Sequence, residues 1–286
     1  MLFITGSESF IGKNLIKECK KKKINYFGVD IKARNTKTTK KIDLRNKFLY
    51  KYIPKKSIII HLAGISKHSD AIKNPSKCFD ININGTVNLI NCAKLRKVET
   101  FIFASSEWIY GEQKDKKKLY ENQNIILSEL NSIYAISKVI SENHLKKLNI
   151  FKNLIILRFG ILYGGKKKEN WSAIESIFQS CKKNSHIEVG SLRSARRFVH
   201  LDDLIEGIIK CVNLKNIHTI NLSGNELISV KNIINFSEKI LKKKIYMRQL
   251  KPNNYSIRNL ENKKAKAVLK WSPNINLKSY LKSINF

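Results

Sequence analysis

The stretch "TGSESFIGKN" (residues 5–14) separates an apolar segment from a helical pattern, and it decides how the N-terminal half of the chain is interpreted. Gly6 suits a tight turn after a strand, and Gly12 allows the next helix to pack closely on that strand. Ser9 stands where a phosphate-binding fingerprint usually has its middle glycine. The unpaired N–H groups at the start of a helix can receive a pyrophosphate. Taken alone, the motif fits a dinucleotide site and a simple strand–turn–helix equally well.

Short apolar segments alternate with helical patterns in the first half of the chain. Strands are predicted at 1–6, 24–30, 57–64, 100–106 and 153–159, and helices at about 11–22, 76–96 and 133–147. This alternation indicates right-handed crossovers and a parallel sheet that is covered by helices on both faces. We therefore predict the α/β class, with a Rossmann-type doubly wound sheet over 1–164. A smaller substrate-binding lobe is predicted over 165–286, with segments at about 195–224 returning to the main domain.

The composition favours a cytoplasmic protein. Hydrophobic residues make up 42% of the 286 residues, but no apolar run approaches the roughly 20 residues that a membrane-spanning helix needs. The first residues run straight into a strand pattern, without the features of a signal peptide. The five cysteines are scattered and form no C-x-x-C pair, which argues against disulfides and against zinc. We expect no bound metal.

The net charge of +33 raises the question of nucleic-acid or anionic membrane binding. Only nine of the 55 basic residues are arginine, which is the residue favoured for bidentate phosphate contacts. The lysines are spread along the chain, in runs such as 20–23 and 242–244. We interpret them as solvated surface and do not expect nucleic acid or membrane as partners, although RNA binding stays as a remote alternative.

Asp30 closes the second predicted strand, 18 residues after Gly12. An acidic side chain at this place accepts hydrogen bonds from the adenosine ribose. A carboxylate there also repels a 2′-phosphate, which favours NAD over NADP, and the nearby Lys32 and Arg34 weaken that preference. The alternative role for Asp30 is a cap for the turn that follows.

Tyr134 and Lys138 form a Y-x-x-x-K pair on one face of a predicted helix. An ammonium beside a phenol favours the phenolate, so we expect a lowered pKa for Tyr134 and a role as general base. Ser105 and Ser106 end a predicted strand, at the sheet edge where ligands bind. Each feature has a simpler alternative, which is a surface pair for the first and a turn for the second.

Together these motifs resemble the extended short-chain dehydrogenase/reductases of the NAD-dependent epimerase/dehydratase group, which act on nucleotide sugars. Matching segments follow in order through most of the chain, including "TGSESFIG" (5–12), "HLAG" (61–64), "NINGTVNLI" (82–90), "FASSEWIYG" (103–111), "YAISK" (134–138), "LRFGILYG" (157–164) and "RRFVHLDDL" (196–204). The resemblance implies a catalytic triad of Ser106, Tyr134 and Lys138. In it Tyr134 is the acid/base, Lys138 also holds the nicotinamide ribose, and Ser106 orients the sugar hydroxyl.

The resemblance also implies binding residues and a partner. The cofactor-binding set is Gly6, Ser9, Phe10, Ile11 and Gly12 at the pyrophosphate, Asp30 at the ribose, Asp43 and Leu44 beside adenine, and Leu62, Ala63, Gly64, Ser66 and Asn82 along the dinucleotide, together with Tyr134 and Lys138. The substrate-binding set is Ser106, Glu107 and Arg196. Arg196 is expected to grip the diphosphate of a nucleotide sugar, or alternatively to pair with Asp202 or Asp203. His200 is expected to be structural. The family often dimerises through the helix pair that includes the Y-x-x-x-K helix, so a homodimer is expected.

The chain departs from the family pattern at several positions. Ser9 replaces the middle glycine, Ile161 stands where many epimerases carry a substrate-binding asparagine, and Gly165 stands where proline often follows. The 4,6-dehydratases carry an Asp-Glu pair after the catalytic hydroxyl residue. Here Glu107 takes the first place and Trp108 the second, and tryptophan cannot abstract a proton. Dehydration is therefore not expected.

We predict an NAD-dependent nucleotide-sugar epimerase that transiently oxidises a sugar hydroxyl, expected at C4. The alternative within enzymes is a nucleotide-sugar 4-keto reductase or dehydrogenase of the same fold, since the chain is short for an epimerase. A third hypothesis is a non-catalytic Rossmann protein that binds NAD or RNA. The intact set of Ser106, Tyr134 and Lys138 argues against that third hypothesis.

Overall fold

The computed structural model describes residues 1–165 and 172–284. These residues form two compact units. Unit 1 consists of Met1–Gly111, Asn124–Arg158 and Ile208–Ile220, and unit 2 consists of Glu112–Gln123, Phe159–Gly207 and Asn221–Phe286. The functional division of the chain into a cofactor-binding domain over 1–164 and a substrate-binding lobe over 165–286 stays a prediction.

The strands and helices follow each other along the chain. The strands are β1 (Leu2–Thr5), β2 (Tyr26–Asp30), β3 (Thr39–Lys41), β4 (Ile58–His61), β5 (Thr100–Ser106), β6 (Lys118–Leu119), β7 (Asn153–Phe159), β8 (Leu162–Tyr163), β9 (His186–Val189), β10 (Ala195–Arg196), β11 (Val199–His200), β12 (Ile217–Leu222), β13 (Ile228–Ser229), β14 (Tyr246–Gln249) and β15 (Ile257–Leu260). The helices are α1 (Phe10–Lys21), α2 (His68–Lys73), α3 (Pro75–Phe79), α4 (Gly85–Leu95), α5 (Ile133–Leu148), α6 (Ala173–Lys183), α7 (Leu201–Lys210), α8 (Val230–Leu241), α9 (Lys263–Leu269) and α10 (Leu277–Ser283).

A seven-stranded sheet in the order β12-β7-β5-β4-β1-β2-β3 forms the centre of the fold. β1 pairs in parallel with β2 on one side and with β4 on the other, and β4–β5 and β2–β3 are also parallel. The strand order therefore reverses at β1, as it does in doubly wound dinucleotide-binding folds. This arrangement confirms the predicted α/β, Rossmann-type class.

The apolar runs of the sequence explain the sheet. All residues of β1, β5 and β7 are buried, as expected for parallel strands that are covered on both faces. In the register, Thr5 lies beside His61, and His61 lies beside Phe103. The carboxyl ends of β1, β4 and β5 therefore meet at one edge of the sheet, and the candidate site residues follow these ends.

The segment predicted as one helix at 76–96 contains a change of helix type. α3 leads into a π-helical turn at Asp80–Asn84, which continues directly into α4. The turn brings buried Asn82 to the segment that follows β4 and to α5, through hydrogen bonds described below. π-turns of this kind are frequent at functional sites.

Unit 2 has its own core. Phe178 of α6, Ile233 of α8 and Leu281 of α10 are buried together, and Ile161 packs against them. The position at which many epimerases carry asparagine is therefore occupied here by a packing residue. The strand pairs β10–β15, β8–β11 and β9–β14 belong to the same unit and are all parallel.

No helix among the described residues is long and apolar enough to cross a membrane. Within the same ranges, no group of three or more His, Cys, Asp or Glu side chains is arranged to hold a metal ion. Each of the five cysteines is buried and outside any disulfide. The cytoplasmic location stays a prediction.

Candidate active site

Three predicted catalytic side chains lie together in unit 1. Ser106 ends β5, and Tyr134 and Lys138 lie one turn apart on α5; their exposed fractions are 7%, 6% and 6%. The Lys138 ammonium donates a hydrogen bond to the carbonyl of Ala104 on β5 at 2.8 Å. Its Nζ lies 6.0 Å from the ring centroid of Tyr134. The spacing in sequence thus predicted a real cluster, and it is buried rather than a surface pair.

The charge state of this cluster differs from the sequence-based expectation. Burial raises the pKa of Tyr134 to about 12, and the nearby Ser106 hydroxyl only partly opposes this rise. Burial also lowers the pKa of Lys138 to about 8, against the opposing effects of Cys78 and Glu142. The expected lowering of the Tyr134 pKa is therefore wrong for the chain by itself, because removing the phenolate from water costs more than its neighbours return.

The turn between β1 and α1, residues 5–12, is called the phosphate loop below. Close backbone contacts require glycine at two of its positions. Gly6 has φ of 72°, and a Cβ on it would lie 2.7 Å from the amide nitrogen of Ala63. A Cβ on Gly12 would lie 2.1 Å from the carbonyl oxygen of Gly6. The turn after β1 therefore passes directly against the end of β4, and α1 packs on that turn as the motif predicts.

Ser9 has a definite structural role. It is the N-cap of α1, and its Oγ accepts a hydrogen bond from the Gly12 N–H at 3.0 Å. Within residues 1–165 and 172–284, the N–H groups of Phe10 and Ile11 donate to no protein acceptor. Two helix-start donors therefore remain for an anion, so the loop fits a pyrophosphate with serine at the middle position.

Asp30 joins the end of β2 to the phosphate loop. Its Oδ2 accepts from the Glu8 N–H at 3.1 Å, and its Oδ1 accepts from the Lys32 N–H at 2.8 Å. The carboxylate therefore caps the following turn, which was the alternative role. Each carboxylate oxygen retains a further lone pair, so this cap is compatible with a ribose contact.

Asn82 fixes the segment that follows β4. Its side chain accepts from the Ile65 N–H at 2.8 Å and donates to the Ile65 carbonyl at 3.0 Å and to Ser137 Oγ of α5 at 2.9 Å. A Cβ on Gly64 would meet Asn82 Oδ1 at 2.9 Å and Lys138 Nζ at 3.8 Å. The predicted residues of this segment, Leu62, Ala63, Gly64 and Ser66, are half-buried or exposed, as residues that face a ligand need to be.

His61 is a buried residue that the sequence-based assignment omits. Its Nδ1 lies 2.7 Å from Thr5 Oγ1 and its Nε2 lies 2.9 Å from Thr86 Oγ1. Thr86 Oγ1 donates to the Asn82 carbonyl, so it accepts from Nε2–H, and Nδ1 accepts from Thr5. Burial and the charge of Lys138 lower the pKa of His61 to about 3, so the ring is neutral.

Asp43 and Leu44 take separate roles. Asp43 forms a solvent-accessible ion pair with Arg45, whose Nε lies 2.9 Å from Asp43 Oδ1, and Arg45 also contacts Asp80. Hydrogen bonding from Arg45 lowers the pKa of Asp43. Leu44 is buried in the core of unit 1. Only the side chain of Asp43 is open to a ligand, and the adenine contact stays a prediction.

Glu107 and Trp108 follow Ser106 directly. Glu107 is fully buried, and its charge raises the pKa of Tyr134. The Trp108 ring stacks on His68 with centroids 4.8 Å apart, and His68 Nδ1 lies 2.9 Å from Ser132 Oγ, the N-cap of α5. Trp108 therefore supports the start of the helix that carries Tyr134.

Arg196 lies in unit 2. It donates to the carbonyl and Oγ of Ser256 at 2.6 and 2.7 Å. The acidic residues considered as its partners make other contacts. Asp203 accepts from the N–H groups of Asn274 and Ile275, and the Asp202 carboxylate lies 3.8 Å from His200 Nδ1. His200 is buried between Tyr163 and Tyr280, which fits the structural role expected for it.

A buried ion pair behind the cluster was missed from the sequence. Glu142 of α5 and Arg158 of β7 are each 3% exposed, with Arg158 Nη2 2.9 Å from Glu142 Oε2. The signals were present, because Glu142 lies two turns after Tyr134 on the same helix face. Arg158 interrupts the apolar residues that follow Asn153 in β7, and a buried charge requires a partner.

The strand order that reverses at β1, with a glycine turn leading into α1, places the chain in the Rossmann class of doubly wound folds. The model of the NAD dependent epimerase/dehydratase family matches residues 2–222, and the chain belongs to this family. It is therefore an NAD(P)-dependent enzyme of the extended short-chain dehydrogenase/reductase group.

Known relatives agree with this assignment. The chain is 28% identical to a putative UDP-glucose 4-epimerase of Methanocaldococcus jannaschii over 99% of this chain and 97% of the relative. The UDP-glucose 4-epimerase of Thermus thermophilus, solved with NAD, has a TM-score of 0.83 at 18% identity and covers 98% and 96% of the two chains. RMD from Pseudomonas aeruginosa, solved with NADPH, has a TM-score of 0.81 at 20% identity and covers 99% and 95%. The two solved structures show the shared fold.

Proposed function

We propose that this enzyme is a nucleotide-sugar epimerase that inverts C4 by transient oxidation, with NAD as its cofactor. The observation that carries the proposal is the joint burial of Ser106, Tyr134 and Lys138 beside the carboxyl edge of the sheet. The same edge carries the phosphate loop after β1. Trp108, at the place of the dehydratase glutamate, supports epimerisation over loss of water.

In the proposed mechanism the phenolate form of Tyr134 takes the proton from the C4 hydroxyl. Ser106 holds the reacting oxygen, and the charged Lys138 stabilises the phenolate. NAD, when bound, would supply the hydride acceptor and donor that the reaction at C4 requires. Tyr134 then returns the proton to the same oxygen, so that the C4 hydroxyl is restored with inverted configuration. The cycle has no net redox change, and much of its rate comes from positioning.

The binding roles are supported by the donors described above. The Phe10 and Ile11 N–H groups are placed at a helix start, which suits the pyrophosphate. The Asp30 carboxylate supports NAD over NADP, since it would repel a 2′-phosphate. In unit 2, Ser256 orients the Arg196 fork, which supports a contact with the diphosphate of the substrate. The names of the relatives support a UDP-hexose as the first substrate to test.

A homodimer is also proposed. Ile83 and Val87, on the π-turn and α4, and Ile136 and Ile140, on the adjacent α5, are apolar and only half-buried. An apolar strip across two neighbouring helices supports pairing with a second copy through this face.

The test uses UDP-galactose and the purified protein, followed by NMR of the sugar anomeric protons. We expect conversion to UDP-glucose with no net production or consumption of NADH. Tyr134→Phe should lower turnover by roughly a thousandfold while NAD still binds, because only the general base is lost. Net consumption of NADH with a 4-keto sugar would favour the reductase. Failure across a panel of UDP-, GDP- and dTDP-hexoses would refute the epimerase assignment.

A further inference from the structure

Glu142 lies behind the catalytic cluster and joins three elements of unit 1. Its Oε1 accepts from Ser105 Oγ of β5 at 2.5 Å and from Arg158 Nε of β7 at 3.2 Å. Its Oε2 accepts from Arg158 Nη2 at 2.9 Å and lies 3.7 Å from Lys146 Nζ. Arg158 in turn donates to the Tyr110 hydroxyl at 2.9 Å. The carboxylate is thus enclosed by donors from α5, β5 and β7.

Two contacts, one turn apart on α5, connect this helix to the end of β5. Lys138 donates to the carbonyl of Ala104, and Glu142 accepts from the hydroxyl of Ser105. The next residue along β5 is Ser106. These two contacts therefore hold the strand end next to Ser106 against the helix that carries Tyr134 and Lys138.

We propose that Glu142 is a positioning residue for the reaction, which holds Ser106 in register with Tyr134 and Lys138 through Ser105 and Arg158, and which keeps the buried Lys138 ammonium charged. This inference rests on the proposed function. Glu142 touches neither substrate nor cofactor in it. Its effect reaches the reaction through the strand end and through Lys138.

The electrostatic part of the proposal follows from burial. Burial lowers the pKa of Lys138 to about 8, and Cys78 and Glu142 are the groups that raise it. An uncharged Lys138 would no longer stabilise the phenolate of Tyr134. The ionisable groups around Lys138 are Cys78 on α3, His61 on β4, and Tyr134 and Glu142 on α5, and those around Glu142 are Arg158 on β7 and Lys146 on α5.

The direction in which pH changes the activity follows from the charge of Lys138. Lys138 supports catalysis while it is charged, so activity falls as pH rises through its pKa. Glu142→Gln removes a negative charge close to it and lowers that pKa further. The alkaline limb of the kcat profile should therefore move to lower pH by about one unit. Lys138 is also proposed to hold the nicotinamide ribose. As the pH rises, NAD affinity should therefore begin to weaken at a lower pH in Glu142→Gln than in the wild-type protein.

The experiment compares four variants with the wild-type protein. UDP-galactose turnover gives kcat and KM against pH, and quenching of tryptophan fluorescence gives NAD affinity against pH. For Glu142→Gln we expect the shifted limb and a loss of kcat of about tenfold with little change in KM. Ser105→Ala and Glu142→Asp keep the negative charge at position 142. They should therefore lower kcat and leave the alkaline limb of the kcat profile in place.

Glu175→Gln is the control, because Glu175 is a buried carboxylate in unit 2 with 1% exposure. It should lower Tm without moving the limb.

The outcomes separate this proposal from the proposed function. If Glu142→Gln keeps the wild-type limb and NAD profile, or if Glu175→Gln moves the limb equally, the positioning role is overturned. If Glu142→Gln does not fold, Ser105→Ala and Glu142→Asp decide, and unchanged kcat in both would overturn the proposal. If the wild-type protein turns over no sugar, the proposed function fails, while the pH dependence of NAD binding still tests Glu142.

Discussion

Two buried glutamates, one in each unit, show different ways of keeping a carboxylate inside a protein. Glu142 in unit 1 is balanced by the cations Arg158 and Lys146. Among residues 1–165 and 172–284, Glu175 in unit 2 is held by neutral donors instead. These donors are the N–H groups of Gly164 at 2.6 Å, Gly165 at 3.3 Å and Ser172 at 2.9 Å, and the hydroxyls of Ser172 at 2.6 Å and Tyr280 at 2.9 Å.

The two carboxylates also differ in how far their contacts can be predicted from the sequence. Ser172 and Glu175 form a capping box at the start of α6, a pattern that can be read from residues three apart. Glu142 has one local partner, Lys146 on the same helix, but its nearest partners, Ser105 and Arg158, come from β5 and β7. A buried carboxylate that belongs to a capping box has a structural explanation in the sequence, whereas one held mainly by distant strands beside a reactive cluster is a candidate for function.

The largest expected effect comes from removing Arg158, the main cation beside Glu142. Arg158→Met leaves Glu142 buried without its main partner, so we expect a loss of about 3–5 kcal/mol in the free energy of unfolding. Urea denaturation measures this loss. The double variant Arg158→Met/Glu142→Leu should recover part of it, since no uncompensated charge remains. A loss below about 1 kcal/mol, the value of an exposed pair, would contradict the pairing described.

His61 sharpens the comparison, because it is a buried ionisable group that stays neutral. Its pKa in the folded protein is lowered to about 3 from the usual 6.5, so the unfolded chain takes up a proton first as the pH falls. The stability that neutral His61 contributes is therefore fully present above pH 6.5, the pKa in the unfolded chain. It is lost as the pH falls from there toward about 3, the pKa in the folded protein. We expect a loss of about 2 kcal/mol between neutral pH and about pH 5. Chemical denaturation at several pH values gives the free energy of unfolding as a function of pH. This dependence should be weaker in His61→Asn than in the wild-type protein, and an equal dependence would exclude His61 as the cause.

Removing one neutral donor from Glu175 should lower the free energy of unfolding by less than the changes above. Tyr280→Phe takes a single hydroxyl from Glu175 and leaves its other donors in place. We expect a loss of about 1 kcal/mol in the free energy of unfolding and an unchanged pH profile of turnover. Thermal unfolding and the turnover assay check both points. A shift in the pH profile would mean that the contrast between the two glutamates is wrong.

The smallest effect is expected at the phosphate loop. Ser9→Gly removes the N-cap side chain of α1 but places there a residue that is tolerated at this position, so the stability cost should be only a few tenths of a kcal/mol. NAD affinity, measured by calorimetry, should stay level or rise. A sharp loss of affinity would show that the Ser9 hydroxyl is itself a phosphate ligand.

The sequence predicted what is encoded by periodic or adjacent residues. The buried strands of the sheet followed from apolar runs, and the cluster of Ser106, Tyr134 and Lys138 followed from helix spacing and strand ends. Contacts between distant segments were not predictable in the same way. Arg196 meets Ser256 and Glu142 meets Arg158 only after the strands and helices have packed. The raised pKa of Tyr134 was missed for the same reason, since burial is a property of the whole fold.

The π-turn at Asp80–Asn84 constrains how this protein can change in length. A π-turn holds one residue more than the α-helical turn it replaces, so deleting a residue here would leave a continuous helix. The residues on one side of the deletion would rotate by about 100° relative to those on the other. Asn82 would then lose Ile65 and Ser137, and with them the link between the β4 loop and α5. Substitutions on the surface of α4 are compatible with the fold, whereas a change of helix phase at this turn is not.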